Sequence, residues 1–458
     1  MKAALALLAA CGGHASGSFQ ISVTDHGSPI AARVLLIGRH FGTIDLYDQR
    51  QGAGACAWGP GVVGTWDGIV LGKGQGAIPI GNDKCSVPAG HYQVWAWHGI
   101  DCELYQGDID VEPGAKIEIP LTRAWTPKAL AADLHVHAHD SNDSNMPDEQ
   151  RVAAQAAAGI RVTAFSNHNK VGDATPAIHQ LGLDMIGLPS AEITAESMHA
   201  GVYPVTSIPP AAKIIPADPK TLLAMLRALP DHPVIQINHP RFRYQSLFDT
   251  THWDGVSWPP PFPTDFDAIE MPGGYSANNS PGDRRIDDLL RDFYTFYQHG
   301  VTPAAVGGSD THDFNWVLDG TSRTYVFSDP EHVVDGIRAR HTEATTGPYL
   351  EVDVDGVGPG GTVHATDHVH YKITVAQAAF VKATTLTIQL GTTQTVLAVK
   401  PGTQHFEGDL PVAGATFFGV SVIGEEPLPL EVTGTYQKDK WQKGGITPFA
   451  VISPITIL

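Results

Sequence analysis

Short apolar runs alternate with helical segments through the middle of the chain, and this alternation restricts the fold more than any other feature. Runs of strand length recur at 132–137, 160–166, 183–193, 234–238, 268–271 and 304–308. Helix starts and stops predict helices at 147–159, 174–181, 219–228, 283–297 and 332–340. Strands that alternate with helices build parallel βαβ units. The region is therefore expected to be α/β, either a barrel or an open sheet.

The segments on either side of this region predict β-domains. Each has strand-length runs between turn residues, and neither has an extended helical period. The expected organisation is a β-sandwich at 19–124, the α/β region at 125–348 and a second β-sandwich at 349–458. The pieces DHGSPIAARVLL and VPAGHYQVWAW in the first sandwich resemble the carboxypeptidase-regulatory or transthyretin-like domain.

Residues 1–18 are expected to be an export signal and tether. The sequence Leu8-Ala9-Ala10-Cys11-Gly12 resembles the lipobox of bacterial lipoproteins, in which the cysteine is acylated. This predicts an exported envelope protein that meets the membrane only through a lipid on Cys11. The alternative is a frayed N-terminus.

The sequence does not show which of the three further cysteines form a disulfide, namely Cys56, Cys85 and Cys102. Export permits one disulfide among them with one thiol left over. Without export, three buried reduced thiols are equally consistent with the sequence.

Net charge limits the class of partner. The chain has 29 Lys and Arg against 48 Asp and Glu, a net charge of −19. A field of that sign repels polyphosphate chains, so general nucleic-acid binding is not expected. A small anionic or ester substrate is compatible with it, because bound cations make a site locally positive.

Metal-ligating residue types recur where the predicted strands end. His135 and His137 lie two apart on one strand, so their side chains point to the same side. Later strands end at His168, Glu192, His239 and the sequence Asp310-Thr311-His312. In α/β barrels this edge of the strands is where sites are built, and the recurrence predicts a metal site there.

These motifs resemble the PHP (polymerase and histidinol phosphatase) superfamily of metal-dependent phosphoesterases, and more closely its carbaryl-hydrolase-type branch. The resemblance runs in order through DLHVHAHDSNDSNMPDEQRVAAQAAAGIRVTAFSNHN, AEITAESMHAGVYPV, INHP, FDAIEMPGG, GGSDTHD and RHTEATTGPYLEVDVDG. It implies a distorted (β/α)7 barrel flanked by N-terminal and C-terminal β-sandwich domains.

The resemblance also implies three groups of ligands. One ion would be held by His135, His137, Glu192 and Asp310. Glu192 would bridge to a second ion held by His199 and His239, and a third ion would use Asp143, His168 and His312. Nitrogen and oxygen ligands suit Zn²⁺, with Mn²⁺ or Fe²⁺ as alternatives.

One departure from the family pattern bears on the third ion. Asn167 stands where the family has Asp, which removes a negative charge beside His168. His139 and Asp140 are extra polar residues in the first motif, and we interpret them as a solvent-exposed loop. Glu270 ends a strand as the ligands do, but we interpret it as a residue that supports them.

Substrate binding is predicted for arginines near the same edge. Arg241 and Arg243 directly follow His239, and Arg323 lies in the block GTSRTYVF. A guanidinium there could grip a phosphate or carboxylate with two hydrogen bonds. The segment 252–266, rich in aromatic residues and proline, could form a lid, or more simply a stiff linker.

The expected function is hydrolysis by a hydroxide that bridges the metal ions, most simply of small phosphate esters. Asp310 or His199 would carry the proton, with Glu192 between the ions. The closer branch keeps carbamates, amides and aryl esters as alternatives. A different class of function is an envelope-anchored binding protein without catalysis.

Overall fold

The computed structural model describes residues 17–39, 42–48, 53–54, 56–65, 68–208, 216–242, 245–273, 285–314, 318–433 and 445–458. The lipobox predicted at Cys11 lies outside these residues. Across the described ranges, no helix is both long and apolar enough to cross a membrane.

The N-terminal region consists of strands that form two main sheets packed face to face. One sheet has the order β10-β1-β13 and the other β12-β11-β3-β9-β8-β7. Apolar side chains from both, among them Phe19, Val34 and Tyr92, form the core between them. The strands are β1 (Gly17–Asp25), β2 (Ser28–Pro29), β3 (Ala32–Gly38), β4 (Gly42–Thr43), β5 (Tyr47–Asp48), β6 (Ala53–Gly54), β7 (Cys56–Gly59), β8 (Val62–Thr65), β9 (Gly68–Leu71), β10 (Gln75–Ile80), β11 (Gly90–Trp97), β12 (Tyr105–Val111) and β13 (Lys116–Leu121).

A disulfide joins Cys56 to Cys85, and Cys102 is a buried free thiol. This answers the question of pairing that the sequence left open.

The described part of the central region contains the five predicted helices and one short helix that was not predicted. They are α1 (Asp148–Ala157), α2 (Thr175–Leu181), α3 (Pro219–Arg227), the short α4 (Leu247–Thr250), α5 (Arg285–Gln298) and α6 (Val333–Arg338). The strands are β14 (Leu130–Val136), β15 (Val162–Phe165), β16 (Ile186–Pro189), β17 (Ala191–Thr194), β18 (His199–Tyr203), β19 (Val234–Ile237), β20 (Ala268–Gly273), β21 (Ala304–Gly308), β22 (Arg323–Val326) and β23 (Thr342–Thr345).

Two sheets of the central region curl around a common interior. The first contains β16-β15-β14-β22-β23, and the second has the order β17-β18-β19-β20-β21. They approach each other at isolated bridges, His168 with Glu192 and Val136 with Thr311. One apolar cluster takes side chains from both sheets, including Leu134 of β14 and Val234 of β19. The strand ends therefore converge on one place.

The fold is mixed α/β, but the regular (β/α)7 alternation was wrong. A single residue, Ser190, separates β16 from β17, and β18 runs antiparallel to both β17 and β19. The one-residue link from β16 to β17 and the four-residue link from β17 to β18 are too short for a crossover connection, which needs a dozen or more residues. Among the described residues strands far outnumber helices, and β22 also pairs with β14 in the antiparallel sense.

The C-terminal region shares a sheet with the central one. Strand β31 pairs with β23 through Glu343–Ile452 and Thr345–Ala450, so the first central sheet continues as β31-β30-β27-β28. A second sheet, β24-β26-β29, packs over it around a core that includes Ile373 and Val420. The elements are β24 (Tyr349–Val354), β25 (Thr362–Val363), β26 (His368–Gln377), β27 (Ala383–Leu390), β28 (Thr393–Ala398), β29 (Gly402–Pro411), β30 (Phe417–Gly424), β31 (Phe449–Ile452), β32 (Ile455–Ile457) and the short helix α7 (Leu430–Thr433).

Candidate metal centre

The convergent strand ends carry a buried cluster of imidazoles and carboxylates. His135 lies on β14, Glu192 on β17 and His199 at the start of β18. His239 is the second residue after β19, and Asp310 is the second residue after β21. All nine residues predicted as ligands lie in this cluster, namely His135, His137, Asp143, His168, Glu192, His199, His239, Asp310 and His312.

Glu192 occupies the centre of the cluster. Its side chain is 1% exposed, and five imidazoles surround its carboxylate. The nitrogen-to-oxygen distances are 3.2 Å to His135, 3.6 Å to His137, 2.9 Å to His168, 3.1 Å to His199 and 3.3 Å to His239. Glu192 Oε2 is buried without a hydrogen bond from any described residue, and its charge contact with His168 Nδ1 is 2.9 Å long.

A second carboxylate, Asp143, gathers ligands at one side of the cluster. Its Oδ2 lies 3.0 Å from His168 Nε2 and 3.1 Å from His312 Nε2. The rings of His137 and His312 stack beside it with centroids 4.0 Å apart and planes inclined by 12°. These four residues have ligand atoms within 4.8 Å of one another, so the predicted third group is assembled, with His137 added.

Asp310 completes the cluster between the two histidines of the first motif. Its Oδ1 lies 3.2 Å from His135 Nε2 and 3.2 Å from His137 Nε2. These three form one compact group, whereas Glu192 groups with His135 and His239, and separately with His168 and His199. The residues predicted to hold the first two ions therefore all lie in the cluster. Their grouping differs from the prediction, because Glu192 is grouped apart from His137 and Asp310.

The backbone takes sparsely populated conformations where it presents these ligands. His239 and Asp310 have φ of 27° and 51°, in the left-handed region that most residues avoid. A Cβ at Gly308 would lie 2.4 Å from His135 Cβ, so only glycine lets β21 approach β14 this closely. Such strain is characteristic of functional sites, where surrounding packing maintains it.

Electrostatic coupling fixes the charges of the acids. Burial opposes ionisation of Glu192, but the positive charges of His199 and His135 hold the pKa of this carboxyl well below its usual range. Burial likewise opposes ionisation of Asp310, and His135 and His137 outweigh it to lower the pKa. Both groups are therefore carboxylates at neutral pH.

The imidazoles divide into two kinds. Burial, together with neighbouring His312, lowers the pKa of His137 to about 3, so this ring is a neutral donor of a lone pair. Burial alone would lower the pKa of His168 as well, but the nearby carboxylates of Asp143 and Glu192 raise it to about 10. A metal ion would have to displace the proton of His168, which makes binding release protons at neutral pH.

Buried residues behind the ligands hold them in place. Glu270 Oε1 lies 3.0 Å from His135 Nδ1, and its Oε2 accepts the backbone N–H of His239. Asn238 donates its side-chain amide to Glu192 Oε1 at 2.9 Å. The interpretation of Glu270 as a supporting residue agrees with these contacts, while Asn238 was missed, although it directly precedes a predicted ligand.

Asn167 turns away from the cluster. Its Oδ1 accepts the backbone N–H of Ala138 at 2.8 Å, which supports the loop after β14. The missing charge therefore leaves the group around Asp143 intact. Of the two extra polar residues, His139 contacts Asp148 and Asp140 near the surface and lies outside the groups of ligand atoms.

Arg241 and Arg323, which the sequence predicted to bind substrate, both bind groups of the protein itself in the structure. Arg323 is 1% exposed and donates to the carbonyl oxygens of Gly320 and Ala158, so a substrate cannot reach it. Arg241 is bound on two sides by Asp292, at 2.7 and 3.0 Å, and by Asp249. Burial and internal pairing occupy both guanidinium groups. Arg243 lies outside the described residues.

The aromatic segment 252–266 packs inward. Trp253, Phe262 and Phe266 are buried against Phe296 of α5. The alternative of a stiff connecting segment describes this arrangement better than a lid.

Comparison with family models, with curated proteins and with solved structures found no match. The fold and site define a mixed α/β protein whose buried histidine, aspartate and glutamate groups could hold metal ions. The likeness to the PHP superfamily rests on the sequence motifs alone.

Proposed function

We propose that this cluster binds two or three divalent metal ions and that the protein is a metal-dependent hydrolase. The observation that carries the proposal is Glu192, a buried carboxylate within 3.6 Å of five imidazoles. Packing alone does not require such a grouping, because buried polar groups cost free energy unless they are paired. A carboxylate among imidazoles is the donor set of a metal centre.

The donors fit a first-row divalent ion. They are nitrogen and oxygen atoms, and the cluster contains no sulfur, which favours Zn²⁺ with Mn²⁺ or Fe²⁺ as alternatives. Glu192 Oε2 and His239 Nδ1 are buried without hydrogen bonds. An ion beside Glu192 Oε2 would satisfy that oxygen.

The chain's own residues supply the proton transfers. Bound ions would contribute Lewis acidity and make water a nucleophile near neutral pH. Asp310 has 10% of its side chain exposed, and we assign it the proton of the attacking water because it lies at the accessible side of the cluster. His199 has 10% exposure, and its Nε2 lies 3.2 Å from Oε1 of exposed Gln245, where it can return a proton to the leaving group.

Small phosphate esters are the substrates we propose first. The support is the order of the motif blocks from Asp133 to Gly356, which resembles their order in the PHP superfamily. Carbamates, amides and aryl esters follow from the closer branch. Since Arg241 and Arg323 are occupied, an anionic group would be held chiefly by the metal ions.

Export to the cell envelope, with a lipid on Cys11, belongs to the same proposal. The disulfide between Cys56 and Cys85 supports it, because structural disulfides persist mainly in oxidising compartments.

The test is metal analysis combined with hydrolysis. Purified protein loaded with Zn²⁺ or Mn²⁺ is expected to bind two or three ions and to hydrolyse nitrophenyl phosphate, bis-nitrophenyl phosphate or an aryl carbamate. His135→Ala should remove the activity and at least one ion. His370→Ala is the matched control, because His370 also lies 3.0 Å from two carboxylates, those of Glu407 and Asp409, but on the C-terminal surface.

If the protein binds metal but hydrolyses none of these substrates, the proposal that it is an enzyme is contradicted. The alternative of an envelope-anchored binding protein without catalysis is then favoured. A chain that takes up no ion would contradict the whole proposal.

A further inference from the structure

A buried arginine lies directly behind one side of the metal-ligand cluster. Arg151 is in the first turn of α1, and its side chain is 0% exposed. Its Nε donates to the carbonyl oxygen of His137 at 2.9 Å, and its Nη2 donates to the carbonyl oxygen of His312 at 2.6 Å. One guanidinium thus ties together the backbone of two predicted ligands from distant parts of the chain.

These two ligands are the stacked pair beside Asp143. Their ring centroids are 4.0 Å apart, and only His312 of the two contacts Asp143 directly among the ion pairs. The loop after β14 and the loop after β21 already meet through the hydrogen bond from the His137 backbone N–H to the Thr311 carbonyl oxygen, at 3.0 Å. Arg151 adds a side-chain hydrogen bond to each loop, at His137 and at His312, and so helps to set the separation of the two rings.

The arginine is itself held by a buried polar network. Its Nη1 contacts both oxygens of Asp319, at 2.9 and 3.0 Å. Gln155, one turn further along α1, donates to Asp319 at 2.7 Å and to Asp133 at 3.0 Å. Asp133 in turn accepts the backbone N–H and the hydroxyl of Ser309, immediately before Asp310. The network thus orients the arginine and also fixes the start of the second loop.

The other side of the cluster has a separate support. Glu270 contacts His135 Nδ1 and the backbone N–H of His239, and no described hydrogen bond joins Glu270 to Arg151, Gln155 or Asp319. Glu270 therefore supports His135 and His239, whereas Arg151 supports His137 and His312. The two supports meet at Asp133, whose Oδ1 lies 3.4 Å from the backbone nitrogen of His135.

We propose that Arg151 is a positioning residue for one metal ion, the ion bound by His137, Asp143, His168 and His312, and that this ion can be lost while the others stay. The inference rests on the proposed metal centre and adds that its ions are separable. Arg151 does not contact substrate, and it acts through the backbone of the two histidines.

The experiment measures ion number and affinity in the full-length chain. The paired substitution Arg151→Gln with Asp319→Asn removes both buried charges together, so neither is left uncompensated. Zn²⁺ binding is followed by equilibrium dialysis with elemental analysis, and folding by near-UV circular dichroism. Arg161→Gln is the control, because Arg161 pairs only with the exposed Asp184 among the described ion pairs.

The expected result is one ion fewer than wild type, or a weakest-site Kd at least tenfold higher, with the remaining affinities within twofold. If the paired variant does not fold, Arg151→Lys should give the same loss, because an ammonium group keeps the charge but not the fork that spans both carbonyls.

Wild-type ion number and affinities in a folded variant would overturn the inference, as would simultaneous loss of every ion. If neither variant folds, Arg151 is needed for folding of the protein core, and this result would also overturn the inference. A wild-type chain that binds no Zn²⁺ would instead overturn the proposed function, and this inference with it.

Discussion

Replacing Glu270 with glutamine should weaken metal binding without unfolding the protein. The carboxylate lies 3.0 Å from His135 Nδ1 and also accepts the backbone N–H of His239. Glutamine has the same shape but no charge. If its oxygen stays on His239 N–H, its NH₂ group faces His135 Nδ1, where a donor now meets a donor.

The size of the effect follows from two independent considerations. Loss of a carboxylate behind a ligating histidine typically costs about 10–100-fold in metal affinity, or about 1.4–2.8 kcal/mol. A hydrogen bond to a charged group contributes roughly 1.5–3 kcal/mol. Because these ranges overlap, the expected rise in Kd for the ion held by His135 is between tenfold and a hundredfold.

The assay is competition for Zn²⁺ against a chromophoric chelator at pH 7.5. Glu343→Gln is the matched control, because Glu343 is equally buried but accepts only the backbone N–H of Leu350 among its described hydrogen bonds. A Kd for Glu270→Gln within twofold of wild type would refute the reasoning. So would an equal loss in the Glu343 control.

Three further predictions concern stability. Burial raises the pKa of Glu343 well above its ordinary 4.5, so its contribution to stability is complete below pH 4.5 and is lost as pH rises toward the folded-state pKa, by about 1.4 kcal/mol per pH unit. Glu343→Gln should therefore raise the Tm more at pH 8 than at pH 5, and an equal gain at both would contradict this. Replacing Cys56 and Cys85 with serine should lower the free energy of unfolding by about 3–4 kcal/mol, because the disulfide spans 29 positions and restricts the unfolded chain. An unchanged midpoint in denaturant unfolding would contradict this stabilisation. Arg241→Ala should destabilise the fold by about 3 kcal/mol, since its partner Asp292 is 1% exposed, while KM stays constant. A raised KM at unchanged Tm would restore its predicted role in binding.

The residues of the cluster that lie at strand ends were predictable because their chemistry follows a local rule, whereas Asp143 and His199 were named only through the resemblance to the PHP superfamily. The residue type and its position at the end of a strand are both readable from sequence, as with His135 and His239. The helices were predictable for the same reason, and each of the five expected helices is present within a few residues of its predicted bounds. Capping residues, glycine stops and periodicity act over a few residues.

Pairing between distant segments was not predictable. The sequence around His199 carries no mark that β18 runs antiparallel to its neighbours, because that direction depends on a four-residue turn and on β19. The internal partners of Arg241 and Arg323 were not predictable either, because tertiary packing decides which side chains are buried. The sequence does contain a signal for Arg151 and Gln155. They are two polar residues four apart on an Ala-rich helix, so their side chains share one face.

The continuity of the central sheet into β31 bears on how this protein can be divided. A chain cut at residue 348 would leave β23 as an open edge, with unpaired backbone groups where Ala450 and Ile452 now bond. Phe417 would also leave its stacking partner Tyr294, uncovering the apolar face of α5. Exposed edges and apolar patches favour aggregation. The region that holds the cluster is therefore not a transplantable module, and fusion or truncation should keep residues 125–458 together.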